Sequence, residues 1–164
     1  MAQDNDRATT AGVEPPLGVV QASVDDKGRL KLPERFQSYL EACGVTRLFI
    51  TTLDLRQARL YPMELWLANQ NLLQSAKENA AAAERMAFLA KTHGGESGVD
   101  ANGRLLLPAP LREALELDQK QAVWLDVYKG RINLMTRRVY EERMAASKTH
   151  MAGDLAVLEE MGLA

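Results

Sequence analysis

The chain has 164 residues, of which 46% are hydrophobic, and its 22 acidic and 20 basic residues give a formal net charge of −2. This length allows one compact domain or two small ones with a real core. No apolar run reaches the roughly 18 residues of a membrane-spanning helix, the N-terminus lacks the pattern of a signal peptide, and the lone Cys43 cannot form an internal disulfide. We therefore expect a cytoplasmic protein without a membrane partner, and the slight negative charge at first weighs against nucleic acid.

The first residues of the chain are polar. Residues 1–16 hold almost no large apolar side chain and end on Pro15-Pro16, which predicts a disordered tail. Residues 17–24 alternate loosely between apolar and polar side chains, which predicts a first strand.

A ten-residue motif at residues 24–33 follows, and it carries the clearest structural signal. It reads Val-Asp-Asp-Lys-Gly-Arg-Leu-Lys-Leu-Pro, and we expect the pair Lys27-Gly28 to supply the positive φ of a tight hairpin. Leu30 and Leu32 alternate with Lys31, so one face of the returning strand is predicted to enter a core.

The segment after this motif combines helix and strand signals. Pro33 has no N–H for a strand ladder and suits the first turn of a helix. We expect that helix over residues 34–42, capped by Gly44. Its predicted apolar face consists of Phe36, Tyr39 and Leu40. Residues 47–52 and 56–61 predict a second strand pair.

A helical linker is predicted next, because no Gly or Pro occurs between Met63 and His93. Pro62 opens it. Ser75 begins a capping-box pattern that ends on Glu78, so we expect two helices with a break near Ser75.

The second half of the chain repeats this plan. Residues 99–108 read Val-Asp-Ala-Asn-Gly-Arg-Leu-Leu-Leu-Pro, with Asp, Gly, Arg, two Leu and Pro spaced as in the first motif and 75 positions later. Strands are predicted over residues 122–128 and 131–135 around the turn Lys129-Gly130, and Tyr140 stands where Trp66 stood. A copy of about 45 residues cannot bury a sufficient core alone, so we expect the two copies to pack together as a pseudo-dimer.

The predicted organisation has five parts. They are a disordered tail (1–16), a first repeat (17–66), a helical linker (67–93), a second repeat (94–140) and a C-terminal helical segment (141–164). The C-terminal segment has too little apolar surface to fold alone, so it either docks on the body or stays mobile. The apolar side chains around the linker helices exceed what a small body can cover, which predicts a homo-oligomer; they are Trp66, Leu73, Met86 and Phe88.

Several residues of the two motifs are interpreted as structural. Asp25 and Asp100 are expected to bond turn amides or to pair with the arginine four positions on. The backbone-shaping residues are Gly28, Pro33, Gly103 and Pro108.

The polar side chains leave alternatives open. Arg29 and Arg104 can be salt-bridge partners or DNA contacts, and the basic residues around Arg29 can be an ordinary solvated face. His93 and His150 are too isolated to suggest a metal site, and no catalytic set with convincing context occurs. We therefore expect no enzyme activity, no metal and no cofactor.

The two motifs carry a family resemblance together with two further stretches, residues 61–66 (Tyr-Pro-x-Glu-Leu-Trp) and residues 111–117 (Leu-Arg-Glu-Ala-Leu-Glu-Leu). They resemble the AbrB family of swapped-hairpin transcription factors. Because two copies are joined by a helical linker, the chain is identified more specifically as similar to the MraZ family, over about residues 17–140. The resemblance implies an α+β fold: a β-rich, double-split swapped-hairpin barrel built from two internal repeats, with the linker and C-terminal helices outside.

The resemblance also implies a function. MraZ proteins are cytoplasmic, nucleoid-associated repressors of the cell-division and cell-wall operon that begins with their own gene, and they assemble into rings. The partners implied are double-stranded promoter DNA and further copies of the chain. The DNA-binding residues implied, with their basic and polar neighbours, are Lys27, Arg29, Lys31, Arg35, Asn102, Arg104 and Arg112.

The weak local charge fits an avid repressor. Residues 24–37 hold four basic and three acidic side chains, and residues 99–111 hold one of each. A single module would bind weakly, but linking many copies can raise avidity by roughly 10² to 10⁴, which favours operators made of short direct repeats. Two other classes stay open: an antitoxin-like interaction module on an AbrB-type barrel, and a small-molecule enzyme.

Overall fold

The computed structural model describes residues 12–164, so most of the predicted tail lies outside the described residues. Within this range the chain forms eight strands and five helices. The strands are β1 (Val20–Val24), β2 (Arg29–Lys31), β3 (Arg47–Thr51), β4 (Gln57–Pro62), β5 (Gly95–Gly98), β6 (Arg104–Leu106), β7 (Gln121–Tyr128) and β8 (Arg131–Thr136). The helices are α1 (Glu34–Ala42), α2 (Met63–Gln74), α3 (Ala80–His93), α4 (Ala109–Ala114) and α5 (Arg137–Glu160).

All eight strands belong to one antiparallel sheet, in the order β5-β3-β4-β8-β7-β1-β2-β6. Four pairings join a strand of one repeat to a strand of the other: β1 with β7, β2 with β6, β3 with β5, and β4 with β8. At the two sheet edges the backbone N–H of Leu106 donates to Ser97 Oγ at 3.1 Å, which brings β6 and β5 together. The sheet is therefore a nearly closed barrel, and the α+β barrel of two interlocked repeats is confirmed.

The core lies inside this barrel and is shared by both repeats. Leu30, Leu32, Leu105 and Leu107 are all buried, while Lys31 points outward, as the alternation predicts. The predicted face of α1 is buried in the same cluster as Leu111 of the second repeat. Each repeat thus completes its core only against the other.

The start of the barrel differs from the sequence expectation. β1 begins at Val20, not at residue 17. Gly18 has φ 92, a left-handed conformation that interrupts an extended chain. Inside the predicted tail, Val13 packs against the core cluster.

The linker consists of two helices with the predicted break, but the capping-box prediction was wrong. Ser75 is the C-cap of α2, and its hydroxyl donates to the carbonyl of Leu72 at 3.3 Å. Asn79 is the N-cap of α3, with no side-chain cap bond. The signal was misplaced because a serine hydroxyl can also donate to a backbone carbonyl of the preceding turn, as Ser75 does here.

Trp66 does not belong to an exposed apolar surface. It is 3% exposed and stacks on Phe49, with ring centroids 4.4 Å apart. In the second repeat Tyr140 stacks on Trp124 at the same distance, which confirms that Tyr140 stands where Trp66 does. The exposed apolar residues of α2 and α3 are Leu67, Leu72, Met86 and Phe88.

The C-terminal segment continues a helix that begins on the body. α5 starts at the N-cap Thr136, whose hydroxyl accepts the N–H of Val139 at 3.3 Å, and runs to Glu160. Glu142 still reaches the body through an ion pair with Arg56, but every residue from 141 to 164 is exposed. None of the helices in the described part of the chain is long and apolar enough to cross a membrane.

Candidate nucleic-acid interface

Each motif forms a turn built around its aspartate and its glycine. Gly28 N–H donates to the Asp25 carbonyl at 3.1 Å, and Asp25 N–H donates to the Arg29 carbonyl at 2.9 Å. This is a type I turn followed by a left-handed glycine, with φ 78 at Gly28. Of the pair Lys27-Gly28, which was expected to supply the positive φ of the hairpin, only Gly28 does so.

The second motif repeats this geometry. Gly103 N–H donates to the Asp100 carbonyl at 3.0 Å, Asp100 N–H donates to the Arg104 carbonyl at 2.8 Å, and φ is 71 at Gly103. Asn102, like Lys27, does not take a positive φ. The glycine alone supplies the left-handed residue in both copies.

The side chains of the two aspartates hold these turns. Asp25 Oδ1 accepts the backbone N–H groups of Lys27 and Arg29, both at 2.9 Å, and its Oδ2 accepts Arg29 Nε at 2.7 Å. Asp100 Oδ1 accepts the N–H groups of Asn102 and Arg104 at 2.8 and 2.9 Å. Because these bonds favour the carboxylate form, the backbone N–H of the following arginine above all, the pKa of each aspartate lies below its usual range.

β2 and β6 form a short two-stranded ribbon at the surface of the barrel. In its register Arg29 faces Leu106, Leu30 faces Leu105, and Lys31 faces Arg104. Since side chains alternate along a strand, the two central leucines enter the core. The outward face of the ribbon, hereafter the ribbon face, consists of Arg29, Lys31, Arg104 and Leu106.

The ribbon is locked at both ends by the turn of the opposite motif. Leu32 N–H donates to the Gly103 carbonyl at 2.9 Å, and Leu107 N–H donates to the Gly28 carbonyl at 3.0 Å. The two turns therefore lie at opposite ends of the ribbon, related by a pseudo-twofold. This arrangement holds the backbone of the ribbon face rigid before any ligand arrives.

The helices after the motifs brace these ends. Arg112 Nε donates to the Leu107 carbonyl at 3.1 Å, and its side chain lies on Gly28. At the equivalent place Gln37 Nε2 donates to the Leu32 carbonyl at 2.7 Å. Arg112, predicted to contact DNA, is thus placed at one end of the ribbon and also has a structural contact there.

The other basic candidates differ in position. Lys31 Nζ donates to the backbone carbonyl of Asn102, so it bridges from the ribbon face to the second turn. Lys27 is exposed at the first turn. Arg35 donates to the carbonyl of Leu17 at 3.3 Å, and no hydrogen bond among the described residues links it to the ribbon.

The ribbon face combines cations with one apolar side chain. Arg29 keeps 39% of its side chain exposed while its Nε binds Asp25, and its terminal NH₂ groups donate to nothing else in the described chain. The Arg104 side chain makes no hydrogen bond or ion pair within residues 12–164. Two arginine forks are therefore available to a bidentate acceptor such as guanine or phosphate.

Sequence reasoning missed two members of this interface. Leu106 is 53% exposed on the ribbon face, where it occupies the position of Lys31 in the first motif. Gln37 was missed as the partner of Gly103. The alternation around Leu105 and the 75-residue offset between Gln37 and Arg112 would have identified both.

The fold and this site define a class of protein: a barrel of two swapped hairpins that presents a rigid, cationic two-stranded ribbon. No family model matches the chain. The transcriptional regulator MraZ of Shewanella halifaxensis is 36% identical over 108 residues, which cover 63% of this chain and 68% of that protein. MraZ of Anaeromyxobacter dehalogenans (strain 2CP-C) is 33% identical over 133 residues, covering 79% and 90%, and MraZ of a Marinomonas species is 36% identical over 107 residues, covering 65% and 71%. The chain belongs to the MraZ family of transcriptional regulators.

Proposed function

We propose that the chain is a sequence-specific DNA-binding repressor that inserts the β2–β6 ribbon into the major groove. The observation that carries this proposal is the ribbon face, where Arg29 and Arg104 project from a rigid antiparallel pair in a pseudo-twofold arrangement. The names of the relatives support regulation of transcription. If DNA is its partner, the protein works in the cytoplasm and associates with the nucleoid.

The dimensions of the ribbon fit a groove. Strands of three residues are about 10 Å long and lie roughly 4.8 Å apart. The major groove of B-DNA is about 12 Å wide and admits a two-stranded ribbon. Arg29 and Arg104 suit guanine O6 and N7, and Leu106 suits a thymine methyl group. Lys27 and Arg112, which lie together at the first turn, would contact phosphates beside that end of the ribbon.

The charge of the site explains why repeated contacts are needed. Asp25, Asp26 and Asp100 lie in the same turns as the cations, so one ribbon gains little from counterion release. We propose that several copies act together as a ring-like homo-oligomer on an operator of short direct repeats. The target that the family resemblance implies is the division and cell-wall operon that begins with the chain's own gene.

DNA binding by the purified protein tests this function. Fluorescence anisotropy would compare duplex DNA from upstream of the chain's own gene with a shuffled duplex of equal composition. We expect preference for the upstream DNA by roughly 10³-fold or more. Shortening the operator to a single repeat should remove most of that affinity, since avidity requires several contacts.

Arg104→Ala is the matched variant, because the Arg104 side chain makes no hydrogen bond or ion pair within the described residues. Loss of a base-reading arginine costs about 1–3 kcal/mol per contact, and the loss recurs in every copy. Equal binding of the upstream and shuffled duplexes, or unchanged binding by a folded Arg104→Ala variant, would overturn the proposed function.

A further inference from the structure

The exposed part of α5 has an apolar stripe along one side. At 3.6 residues per turn, Met144, Met151, Leu155 and Leu158 lie within one narrow sector of the helix. Met144, Met151 and Leu158 are seven residues apart, the spacing of a coiled-coil seam. Within the described chain no side chain covers this stripe, since residues 141–164 are all exposed.

The stripe continues a face that the body already uses. Tyr140 lies in the same sector, four residues before Met144, and it stacks on Trp124 with an interplanar angle of 5°. The apolar face of α5 is therefore covered by the barrel at Tyr140 and is exposed beyond it. Most of the stability of a helix in a protein comes from packing of its apolar face, and Gly153 lowers the stability of α5 further relative to an alanine. A second apolar surface would stabilise it.

Charge along α5 selects the orientation of such a partner. Residues 137–150 hold four basic and two acidic side chains, whereas residues 151–164 hold three acidic and no basic ones. Two parallel copies would bring like halves together. Two antiparallel copies place the basic half of each against the acidic half of the other and also oppose their helix dipoles.

We propose that α5 is a self-association element, which pairs with α5 of a second copy in antiparallel orientation about a twofold axis near Met151. In this arrangement Met151 meets Met151 of the other copy, and Met144 meets Leu158. The stripe spans only about two heptads, fewer than the three or four of an autonomous coiled coil. The pairing is therefore a weak contact, suited to linking protomers or assemblies that other surfaces have already formed.

Single-cysteine cross-linking tests this orientation directly. In a Cys43→Ser background, Met151→Cys should form disulfide-linked dimers under mild oxidation. Met144→Cys alone and Leu158→Cys alone should not, because in the antiparallel pair the two copies of residue 144 lie about 21 Å apart along the axis, beyond the roughly 7 Å that a disulfide spans. A mixture of these two variants should cross-link. Val157→Cys is the matched control, since Val157 is 59% exposed against 63% for Met151 but lies outside the stripe.

A second readout uses charge instead of oxidation. Met151→Glu should weaken the concentration-dependent association measured by sedimentation by about tenfold or more. The reason is that the central apolar side chain of the contact is lost from both copies. Val157→Glu should change it less than about twofold. Failure of Met151→Cys to dimerise would overturn the proposal, and so would efficient self-cross-linking of Met144→Cys, which indicates parallel helices. Neither result depends on DNA binding, so the proposed function would be unaffected.

Discussion

The side chain of Arg112 lies directly on Gly28, where an added Cβ would overlap Arg112 Cδ. The mirrored contact joins Gln37 to Gly103, where an added Cβ would overlap Gln37 Nε2. Each helix that follows one motif therefore covers the turn of the other motif. Turn, ribbon and helix form one rigid unit, and that rigidity is what a pre-ordered groove-reading surface requires.

We expect Gly28→Ala to destabilise the protein by about 1–2 kcal/mol, because a left-handed φ costs an L-residue that much. The new methyl group must also displace Arg112. Urea unfolding followed by circular dichroism would measure the loss. Gly153→Ala is the control, since nothing lies within 4 Å of a Cβ there, and it should be neutral or stabilising by up to about 1 kcal/mol. Equal stability of Gly28→Ala and the parent would contradict the strained-turn argument.

Arg112→Gln separates the structural role of Arg112 from a DNA contact. The other repeat already uses glutamine at this place, so a glutamine here can still cover Gly28 and donate to the Leu107 carbonyl. We expect the thermal transition to be kept and the salt dependence of operator binding to fall by about one unit of slope, as for one lost phosphate contact. An unchanged slope in a folded variant would make Arg112 purely structural.

The repeat, the α+β class and the hairpins could be predicted because their signals are local. Asp-x-x-Gly-Arg sets the turn, and the alternation of Leu30 and Leu32 sets the buried face. The pairing of β5 could not be predicted from its own residues: Gly95–Gly98 has little strand propensity, and its partner β3 belongs to the other repeat. Likewise, the contact between Arg112 and Gly28 joins residues 84 positions apart in sequence, and only the swapped pairing of β2 and β6 brings them together.

The two turn aspartates should make stability depend on acid pH. Their pKa values lie below the ordinary 3.8 in the folded protein, so the stability they add is present above that pH and is lost as the pH falls through and below it. A variant with Asp25→Asn and Asp100→Asn keeps amide acceptors for the turn N–H groups but has no carboxylates. We expect its melting temperature to be lower than that of the parent at pH 7, with the difference shrinking towards pH 3. Parallel curves across this range would show that the carboxylate charge is irrelevant to the turns.

The exposed apolar residues of the linker helices should mediate assembly of the barrel bodies. Phe88 is 73% exposed on α3, and such a side chain is costly to leave in water. We expect Phe88→Glu to reduce the oligomer mass measured by light scattering at micromolar concentration. Ala80→Glu, an exposed position in the first turn of the same helix that lies away from both Phe88 and Met86, should leave it unchanged. A monomeric parent protein would exclude the homo-oligomer altogether.

Arg29 and Lys31 lie on the same face of β2, and they should contribute differently to DNA binding. Arg29 is fixed through Nε by Asp25 and keeps its terminal fork for an acceptor, whereas Lys31 Nζ already donates to Asn102. We expect Arg29→Ala to weaken operator binding by about 1–3 kcal/mol per protomer contact. Lys31→Ala should mainly lower the salt slope by about one unit.

Arg29→Lys keeps the charge without the planar fork, so it should behave almost like Arg29→Ala on the operator but resemble the parent on shuffled DNA. Anisotropy titrations at several salt concentrations would measure all three variants. The ion pair of Arg29 with Asp25 is partly exposed to solvent, and such pairs contribute little to stability, so each variant should keep its thermal transition and oligomer size. If a well-folded Arg29→Ala still binds the operator like the parent, Arg29 is a salt-bridge partner of the hairpin and does not read the operator.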